Sequence, residues 1–405
     1  MTTDGEPRVV GPARFDLATP ADIRFGAGRL AEVPAALATL GVTRVMVVTG
    51  SDPGRAEPIR AALADAGLAT AVFAVGGEPS VQLIRDGVRA VRDTGCDGVL
   101  GFGGGSAIDV AKALAALAAS GTDPMEHLEV VGAGRPLRTP SLPCIAVPTT
   151  AGTGSEVTKN SVLSAVGPTG AVKASLRSPL MLPRVAVVDP DLLAPLPRSV
   201  IAAAGSDALS QVVEPFLSAR ANPLTDALAR EGIRRSARSL RDAVADGLAG
   251  EDADTGLRRE DLALTSLLGG LCLANSGLGA VHGFAAVIGA RYDAPHGAVC
   301  GALLGASMAV NLSAARRRDP GHPVIARIAE VASLLSGDEA AMPEVAAAWL
   351  ADLREAVGVP GLSSYGMSTA HFPEVIAQSR EASSMKANPI DLEDDELAAI
   401  LRHAL

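Results

Sequence analysis

Two of the six histidines stand in one short stretch, VHGFAAVIGARYDAPHG, at positions 282 and 296. An imidazole ring can bind a metal ion, relay a proton, or simply hydrogen-bond in a half-buried position. Each histidine here is flanked by small or turn-forming residues. The stretch by itself leaves all three roles open for His282 and His296, and the rest of the chain has to decide among them.

A run of three glycines is the strongest local signal for ligand binding. In GVLGFGGGSAIDVAKALAAL, an apolar strand leads into a helix through Gly103, Gly104, Gly105 and Ser106. Glycines let the backbone approach a phosphate, and the N–H groups and dipole at a helix N-terminus favour an anion. Asp109 and Lys112 lie three residues apart on that helix and can reach the same neighbourhood. The pattern predicts a phosphate loop, although its spacing is neither GxGxxG nor a P-loop.

A second polar loop, TTAGTGSEVT at residues 149–158, follows the apolar run CIAVPTT. The carboxyl end of a parallel strand is where α/β sheets hold ligands. A plain loop of Ser, Thr and Gly is the alternative interpretation. We expect this loop to contribute to the cofactor site through Thr149, Thr150, Thr153 and Ser155.

Short β-rich runs alternate with helical patterns in the first part of the chain. This alternation predicts βαβ units and a Rossmann-like α/β domain with a parallel sheet covered on both faces. The segment NSVLSAVGPTGAVKASL breaks the rhythm and predicts a hairpin with Gly167-Pro168 and Thr169-Gly170 in its turn. The predicted strands are RVMVVTG (44–50), ATAVFAV (69–75), GVLGFGGG (98–105), CIAVPTT (144–150) and RVAVVDP (184–190).

After Pro197 the pattern becomes almost wholly helical, with long segments rich in Ala and Leu separated by Pro or Gly. We therefore predict a domain boundary near residue 198. The α/β domain is expected at residues 1–198 and an all-helical domain at residues 199–405.

Composition excludes several classes of protein. The 405 residues suffice for two or three domains, and a hydrophobic content of 48% argues against disorder. A net charge of −10 argues against nucleic-acid binding. No apolar run reaches the ~18 residues that span a bilayer, and the first residues lack the apolar core of a signal peptide. The absence of CxxC spacing favours reduced, mostly buried thiols in a cytoplasmic protein for Cys96, Cys144, Cys272 and Cys300.

Five segments together resemble the iron-containing (group III) alcohol dehydrogenases, whose superfamily also holds glycerol dehydrogenase, maleylacetate reductase and dehydroquinate synthase. The resemblance covers nearly the whole chain. It implies a dehydroquinate synthase-like fold, with an N-terminal dinucleotide domain, a C-terminal helical domain, and a cleft between them for cofactor, metal and substrate. The segments are GGGSAIDVAK, PTTAGTGSEVT, SDALSQVVEPFLS, GLGAVHGFAAVIGARYDAPHG and NPIDL.

The resemblance also assigns a metal site. The family uses an Asp and a His four residues apart on one helix, plus two later His. By this resemblance Asp207, His282 and His296 are expected as metal ligands and catalytic residues. Gln211 stands where the helical His is expected, and it shares a helix face with Asp207. A further family His near the substrate, four residues after the first of the later pair, is replaced by Ala286.

These two departures weaken the expected metal site. Replacing His by Gln keeps the ligand neutral but exchanges an imidazole nitrogen for a weaker amide oxygen, which suits Fe²⁺ and Zn²⁺ less well. We therefore expect either ion to be loosely held. The alternative is a metal-free site like that of maleylacetate reductase, in which hydrogen bonds or charges polarise the carbonyl. Ala286 removes one proton donor and leaves His282, His296 or a water for the proton step.

The first strand bears on the choice of nicotinamide cofactor. NAD-preferring relatives end this strand with an Asp that binds the adenosine ribose, whereas this chain has Gly50. Losing that carboxylate removes repulsion against a 2′-phosphate, and Ser51 and Arg55 are near enough in sequence to help bind it. We predict NADP, with NAD as the alternative if Asp52 takes the ribose. Lys173 completes the predicted cofactor-binding residues.

The leading interpretation is an NAD(P)-dependent oxidoreductase that moves a hydride between nicotinamide C4 and an alcohol or aldehyde carbon, assisted by a Lewis-acid metal. A non-redox lyase or cyclase, or a relative with a degenerate site, is the competing class. We expect a small alcohol or aldehyde as substrate, no nucleic-acid or membrane partner, a homodimer or higher homo-oligomer, and a cytoplasmic location.

Overall fold

The computed structural model describes residues 14–167 and 170–405. Its eight strands are β1 (Asp22–Phe25), β2 (Arg44–Thr49), β3 (Ala69–Ala74), β4 (Gly98–Gly103), β5 (Cys144–Pro148), β6 (Asn160–Gly167), β7 (Gly170–Arg177) and β8 (Val185–Val188). Six of them form one sheet in the order β1-β8-β5-β4-β2-β3. Every neighbouring pair in this sheet is parallel, which confirms the predicted architecture.

Burial explains which strands the sequence reveals. Strands β4, β5 and β8 are buried along their whole length, and β2 along all but its first residue. Strands covered on both faces form near-continuous apolar runs, so they stand out in the sequence. The short edge strand β1 is only partly buried at each of its four residues, which is why no apolar run predicts it.

Four helices cover the sheet: α1 (Val33–Thr39), α2 (Glu57–Asp65), α3 (Val81–Asp93) and α4 (Gly105–Ser120). Side chains of α1 and α2 share one apolar cluster with the sheet, and side chains of α3 and α4 share another. The hydroxyl of Ser80 accepts a hydrogen bond from the Leu83 N–H at 3.1 Å and so caps the start of α3. The two clusters form the two faces of a doubly covered α/β domain.

The predicted hairpin is confirmed by the antiparallel pairing of β6 with β7. Isolated bridges join Ser80 to Ser164 on one side and Leu128 to Leu176 on the other. Pro168 and Thr169, which we predicted in the turn, lie outside the described residues.

The remainder of the chain is helical. Its core is built mainly from Ala, Val, Leu and Ile side chains of these helices. Helix α5 is buried along most of its length, so its polar residues lie inside the protein. The helices are α5 (Arg198–Leu217), α6 (Pro223–Asp246), α7 (Ala253–Ser276), α8 (Ala280–Tyr292), α9 (His296–Arg318), α10 (Pro323–Ser336), α11 (Glu344–Ala356), α12 (Phe372–Arg380) and α13 (Asp394–Ala404).

Helix α9 corrects one expectation from the sequence. It is long and apolar enough to cross a bilayer by length and composition, although we predicted that no segment would be. In the structure 67% of its most apolar window is buried inside the protein. Its apolar side chains join the core of the helical domain, and this accounts for its composition.

The strand order creates a crevice at one edge of the sheet. The chain runs outward from β2 to β3 and then returns to form β4 on the other side of β2. Ligands of open α/β sheets bind at such a switch point, beyond the carboxyl ends of the strands. Here those ends are the segments that follow Thr49 and Gly103.

Candidate active site

The glycine run lies at this crevice. Gly103 ends β4 and Gly104 is the N-cap of α4. A Cβ atom on Gly103 would lie 3.4 Å from the backbone nitrogen of Gly50, and one on Gly105 would lie 2.6 Å from Thr153 Cγ2. The close approach of the neighbouring loops therefore requires glycine at position 105. The N-terminus of a 16-residue helix begins at the switch point, which is the arrangement that favours a bound phosphate.

Three other predicted residues lie beside this run. The N–H of the buried Thr149 donates to the Gly103 carbonyl at 2.9 Å. Thr150 Oγ1 lies 3.3 Å from the position that a Cβ on Gly104 would take. Ser106 is exposed in the first turn of α4. The structure thus brings together hydroxyls and glycines from two separate loops.

Asp109 and Lys112 hold the two loops to each other. Lys112 Nζ is fully buried and donates to the Ser155 carbonyl and to Thr158 Oγ1, both at 2.9 Å. It also lies 2.9 Å from one oxygen of Asp109, which accepts a hydrogen bond from the Ser155 hydroxyl. The other Asp109 oxygen accepts the Val162 N–H at 2.9 Å. Both oxygens of Asp109 are therefore already used within the protein, where we predicted a cofactor contact.

The second loop is also pressed against the helical domain. Gly154 has a left-handed backbone, with φ of 59°, and lies against Gly270 in the middle of α7. A Cβ on Gly154 would lie 2.4 Å from Gly270 Cα, and a Cβ on Gly270 would lie 2.3 Å from the Gly154 carbonyl oxygen. No side chain fits on either partner, so the loop and α7 meet through their backbones.

A cluster of ligand-forming side chains lies in the helical domain. Nε2 of His282 is 3.2 Å from Asp207 Oδ1, and Nε2 of His296 is 3.8 Å from the same oxygen. Cys300 Sγ lies 3.8 Å from His282 Nε2 and 3.7 Å from His296 Nε2. One ligand atom from each of these four residues lies within 4.8 Å of all the others. Asp207, His282 and His296 are residues that we predicted as ligands, whereas Cys300 is not.

Glu214 orients one of the rings. Its carboxylate lies 2.6 Å from His282 Nδ1 and also accepts the Val281 N–H at 2.7 Å. With its Nδ1 proton directed to Glu214, His282 presents Nε2 to the cluster, which is the usual arrangement of a metal-binding histidine. Glu214 was missed in the sequence, although it stands seven residues after Asp207, two turns along the same helix face.

The cluster shifts the pKa of each of its members. Burial tends to raise the pKa of Asp207, but the hydrogen bond to His282 and the charges of both rings lower it to about 2. Burial tends to lower the pKa of His282 and His296, yet the neighbouring Cys300 and Asp207 raise both. Burial tends to raise the pKa of Cys300, but the two rings lower it. The neighbouring charges thus favour an ionised Asp207, and a cation bound here would compete with protons for the ring nitrogens.

Gln211 lies next to this cluster, one turn after Asp207 on α5. Its Nε2 donates to the Gly152 carbonyl at 3.3 Å, and its side chain helps to lower the pKa of Asp207. Its Oε1 is buried and has no hydrogen-bond partner among the described residues. A buried, unpaired amide oxygen beside an acidic and imidazole cluster is a feature that a cation would satisfy.

The remaining predicted residues lie apart from the cluster. Lys173 forms an ion pair with Glu78 and approaches α8 at Gly289, where a Cβ would lie 3.5 Å from its Nζ. Gly50 follows β2, and a Cβ there would meet nothing within 4 Å. Ser51 comes next and is exposed. Ala286 is partly exposed on α8, one turn after His282.

Two family models match the chain. "Iron-containing alcohol dehydrogenase" matches residues 20–190, and "Fe-containing alcohol dehydrogenase family, C-terminal" matches residues 201–405. The 1,3-propanediol dehydrogenase of Klebsiella pneumoniae is 33% identical over 397 residues, which are 96% of this chain and 98% of that protein.

Solved structures give the same picture. A 1,3-propanediol oxidoreductase superposes with a TM-score of 0.87 and 32% identity, covering 97% of this chain and 100% of that one. A sulfoacetaldehyde reductase from Bifidobacterium kashiwanohense, solved with NAD⁺, has a TM-score of 0.84 and 29% identity and covers 97% and 99%.

The sheet, the glycine loop and the helical C-terminal region are thus those of an oxidoreductase that acts on CH–OH groups. More particularly, the chain belongs to the iron-containing alcohol dehydrogenase family, as its motifs indicated. That family uses NAD(P) and a metal ion. The competing interpretation, a non-redox lyase or cyclase, is therefore set aside.

Proposed function

We propose that this protein is an NAD(P)-dependent alcohol dehydrogenase or aldehyde reductase with a divalent metal ion held by Asp207, His282 and His296. The observation that carries the metal is the convergence of their ligand atoms within 4.8 Å, together with Cys300. The buried Oε1 of Gln211, which has no hydrogen-bond partner among the described residues, supports this proposal. The donor set therefore fits a cation, with Gln211 as an additional neutral oxygen.

The two bound groups would supply the chemistry between them. When bound, the nicotinamide would supply hydride chemistry at the substrate carbon and the divalent ion would supply Lewis acidity at the substrate oxygen. The glycine run and Thr149–Thr150 would hold the dinucleotide at the crevice, and Glu214 orients His282.

Proton exchange with solvent follows from the exposure of the rings. His282 is 6% exposed, and its two ring nitrogens are directed to Glu214 and Asp207. Ala286 offers no proton donor. His296 is 34% exposed, so the cluster opens to solvent along this ring. We infer that protons enter and leave on the His296 side, carried by water.

The end of β2 supports NADP as the preferred cofactor. Space around Gly50 is free, and the carboxylate of Asp52 is occupied in accepting the Gly54 N–H at 2.9 Å. Asp52 therefore caps a turn, so it is poorly placed to take over the ribose contact. Gly50→Asp should shift preference toward NADH, because a carboxylate repels the 2′-phosphate and can bind the free ribose hydroxyl. Strong selectivity for NADH in the wild-type enzyme would contradict the preference for NADP.

The substrate is a small alcohol or aldehyde. Assembly as a homodimer or higher homo-oligomer stays a prediction from the family resemblance. A cytoplasmic location stays a prediction as well, and four buried cysteines without disulfides agree with it.

The proposed function is tested by NAD(P)H absorbance with a panel of aliphatic alcohols and aldehydes. Elemental analysis before and after chelation is measured on the same preparations. We expect substoichiometric metal as purified, loss of activity on chelation, and recovery with Fe²⁺, Zn²⁺ or Mn²⁺. Full activity in a metal-free preparation would instead indicate a metal-independent reductase like maleylacetate reductase, in which His282 and His296 hydrogen-bond to the substrate oxygen. No turnover with any member of the panel would overturn the proposal.

A further inference from the structure

We propose that Cys300 supplies a thiolate ligand, so that the metal site consists of Asp207, His282, His296 and Cys300 and takes a thiophilic cation, Zn²⁺ or Co²⁺, in preference to Fe²⁺. This inference rests on the metal site of the proposed function. It changes the donor set of that site from oxygen and nitrogen alone to a mixed set that includes sulfur, and a substrate oxygen would join these four donors as a fifth ligand. A thiolate is a soft ligand, so it favours Zn²⁺ and Co²⁺ over harder cations.

The spacing of the four donor atoms supports a shared cation. For a tetrahedral ion with bonds of about 2.0–2.1 Å to nitrogen and oxygen and about 2.3 Å to sulfur, neighbouring donors lie roughly 3.3–3.6 Å apart. The Sγ atom of Cys300 is 3.8 and 3.7 Å from the two Nε2 atoms. Oδ1 of Asp207 is 3.2 and 3.8 Å from the same nitrogens. These four of the six separations lie within about half an ångström of the tetrahedral value, and all six are within 4.8 Å.

Helix packing explains why the thiol reaches this place. Cys300 follows His296 by four residues on α9, so both side chains project from one face. Gly297 lies between them, and a Cβ there would be 2.0 Å from the Ala203 carbonyl oxygen and 3.1 Å from Asp207 Cβ. Only glycine permits this contact, through which α9 lies directly on the backbone of α5. The thiol is thereby brought into the group formed by Asp207 and the two rings.

Cys300 also compensates for the missing helical histidine. Gln211 can offer only a neutral amide oxygen, and its Nε2 is anchored on the Gly152 carbonyl. A thiolate is a stronger donor than an amide oxygen for Zn²⁺ and Co²⁺. It also adds a second negative charge beside Asp207, so the pair balances a divalent cation in a buried site.

The other cysteines provide a matched control. All four are free and buried, but among the described residues only Cys300 belongs to a group of metal-ligating side chains. Cys272 instead donates from its Sγ to the Thr225 carbonyl at 3.4 Å. Cys272→Ser therefore changes a buried thiol without changing the proposed ligand set.

Reconstitution with Co²⁺ tests directly whether the Cys300 thiolate binds the metal. Chelated full-length protein is titrated with Co²⁺ while its absorption spectrum is recorded. A thiolate bound to Co²⁺ gives a near-ultraviolet charge-transfer band, whereas nitrogen and oxygen ligands give only the visible ligand-field bands. We expect the charge-transfer band in wild type, Cys272→Ser and Gln211→Leu, and its loss in Cys300→Ser. Cobalt affinity in Cys300→Ser should fall by about 10–100-fold or more, since even the perturbation of surrounding residues has that effect.

Three outcomes would overturn the thiolate ligand: wild type that binds no cobalt, wild type that binds cobalt without the band, and a band that persists in Cys300→Ser. If Cys300→Ser does not fold, the wild-type spectrum and Cys300→Ala decide the matter. Dehydrogenase activity is assayed separately. Dehydrogenase activity in a protein without the charge-transfer band would contradict the thiolate ligand but not the proposed function. The band in a protein without dehydrogenase activity would contradict the proposed function but not the thiolate ligand.

Discussion

The loop around Lys112 and the cluster around Asp207 are both buried and polar, but hydrogen bonding is complete only in the first. Lys112 Nζ has three oxygen neighbours at 2.9 Å. In the cluster, Gln211 Oε1 has no partner in the part of the chain that the structure describes, and the two rings beside Asp207 have raised pKa values. Leaving a buried polar group unpaired costs about 1–3 kcal/mol. We conclude that a buried polar group with all its hydrogen-bond partners has a structural role, whereas one that lacks a partner indicates ligand binding.

The largest effect is expected from a substitution that breaks the complete hydrogen-bond network around Lys112. Lys112→Met removes the ammonium group and leaves Asp109, the Ser155 carbonyl and Thr158 without it. Breaking a buried pair costs about 3–5 kcal/mol, so the free energy of unfolding should fall by that amount in urea titrations. Lys386→Met, at an exposed lysine, should change it by less than about 0.5 kcal/mol. A loss below 1 kcal/mol for Lys112→Met would mean that this network is not structural.

The next effect concerns the glycine run, where a substitution should weaken cofactor binding but leave the stability of the protein nearly unchanged. Gly104→Val places a branched side chain beside Thr150 at the start of α4, where we expect the pyrophosphate. The affinity for NAD(P)H should fall about 100-fold, which is about 2.7 kcal/mol, while the melting temperature changes little. Fluorescence titration with NAD(P)H measures it, with Gly256→Val at the N-terminal end of α7, where a Cβ meets nothing within 4 Å, as the control. Unchanged affinity would show that the run does not bind the dinucleotide.

Glu156, in the same loop as Ser155, should make the stability of the protein depend on pH. Burial raises the pKa of Glu156 to about 7, although a backbone hydrogen bond and Lys112 both lower it. Between its ordinary value of 4.5 and about 7, the folded protein keeps a proton that the unfolded chain has released, so stability falls as pH rises through this window. Glu156→Gln removes this dependence and should be more stable than wild type by on the order of 3 kcal/mol at pH 8, but equal to it below about pH 4.5. Urea unfolding across this range tests it, and parallel pH profiles for the two proteins would show that burial does not raise the pKa of Glu156.

The smallest effect is expected from a substitution that adds a stronger metal ligand to the cluster around Asp207. Gln211→His replaces the unpaired amide oxygen with an imidazole nitrogen, so Zn²⁺ or Fe²⁺ should be retained about tenfold more tightly, or about 1.4 kcal/mol. Competition with a chelator measures the affinity. Gln82→His, at an exposed site on α3, controls for the added imidazole. Weaker retention in Gln211→His would mean that position 211 does not face the ion.

Local patterns were enough to predict the parallel sheet, the hairpin and the change to helices. A buried strand or an amphipathic helix shows its environment in its own residues. The glycine run is equally local, because a phosphate loop is made from consecutive backbone groups. The half-buried strand β1 lacks such a signature.

The cluster depends on residues that are far apart in the chain. Asp207, His282 and His296 were expected only through the family resemblance. The contribution of Cys300 depends on how closely α9 lies on α5, and no spacing within one helix reveals that distance. Its position four residues after His296 was the available signal. In the same way, the spacing of Asp109 and Lys112 placed them together, but it could not show that Ser155 and Val162 would occupy the carboxylate.

The contact between Gly154 and Gly270 limits how the two halves can be exchanged among relatives. Each glycine excludes a side chain on the other, and since both already lack one, no second substitution can make room for a change at either site. A chimaera that joins this dinucleotide domain to a foreign helical domain would need glycine at the position matching 270. Shuffled libraries should therefore recover functional crossovers between residues 154 and 270 only from parents that share both glycines.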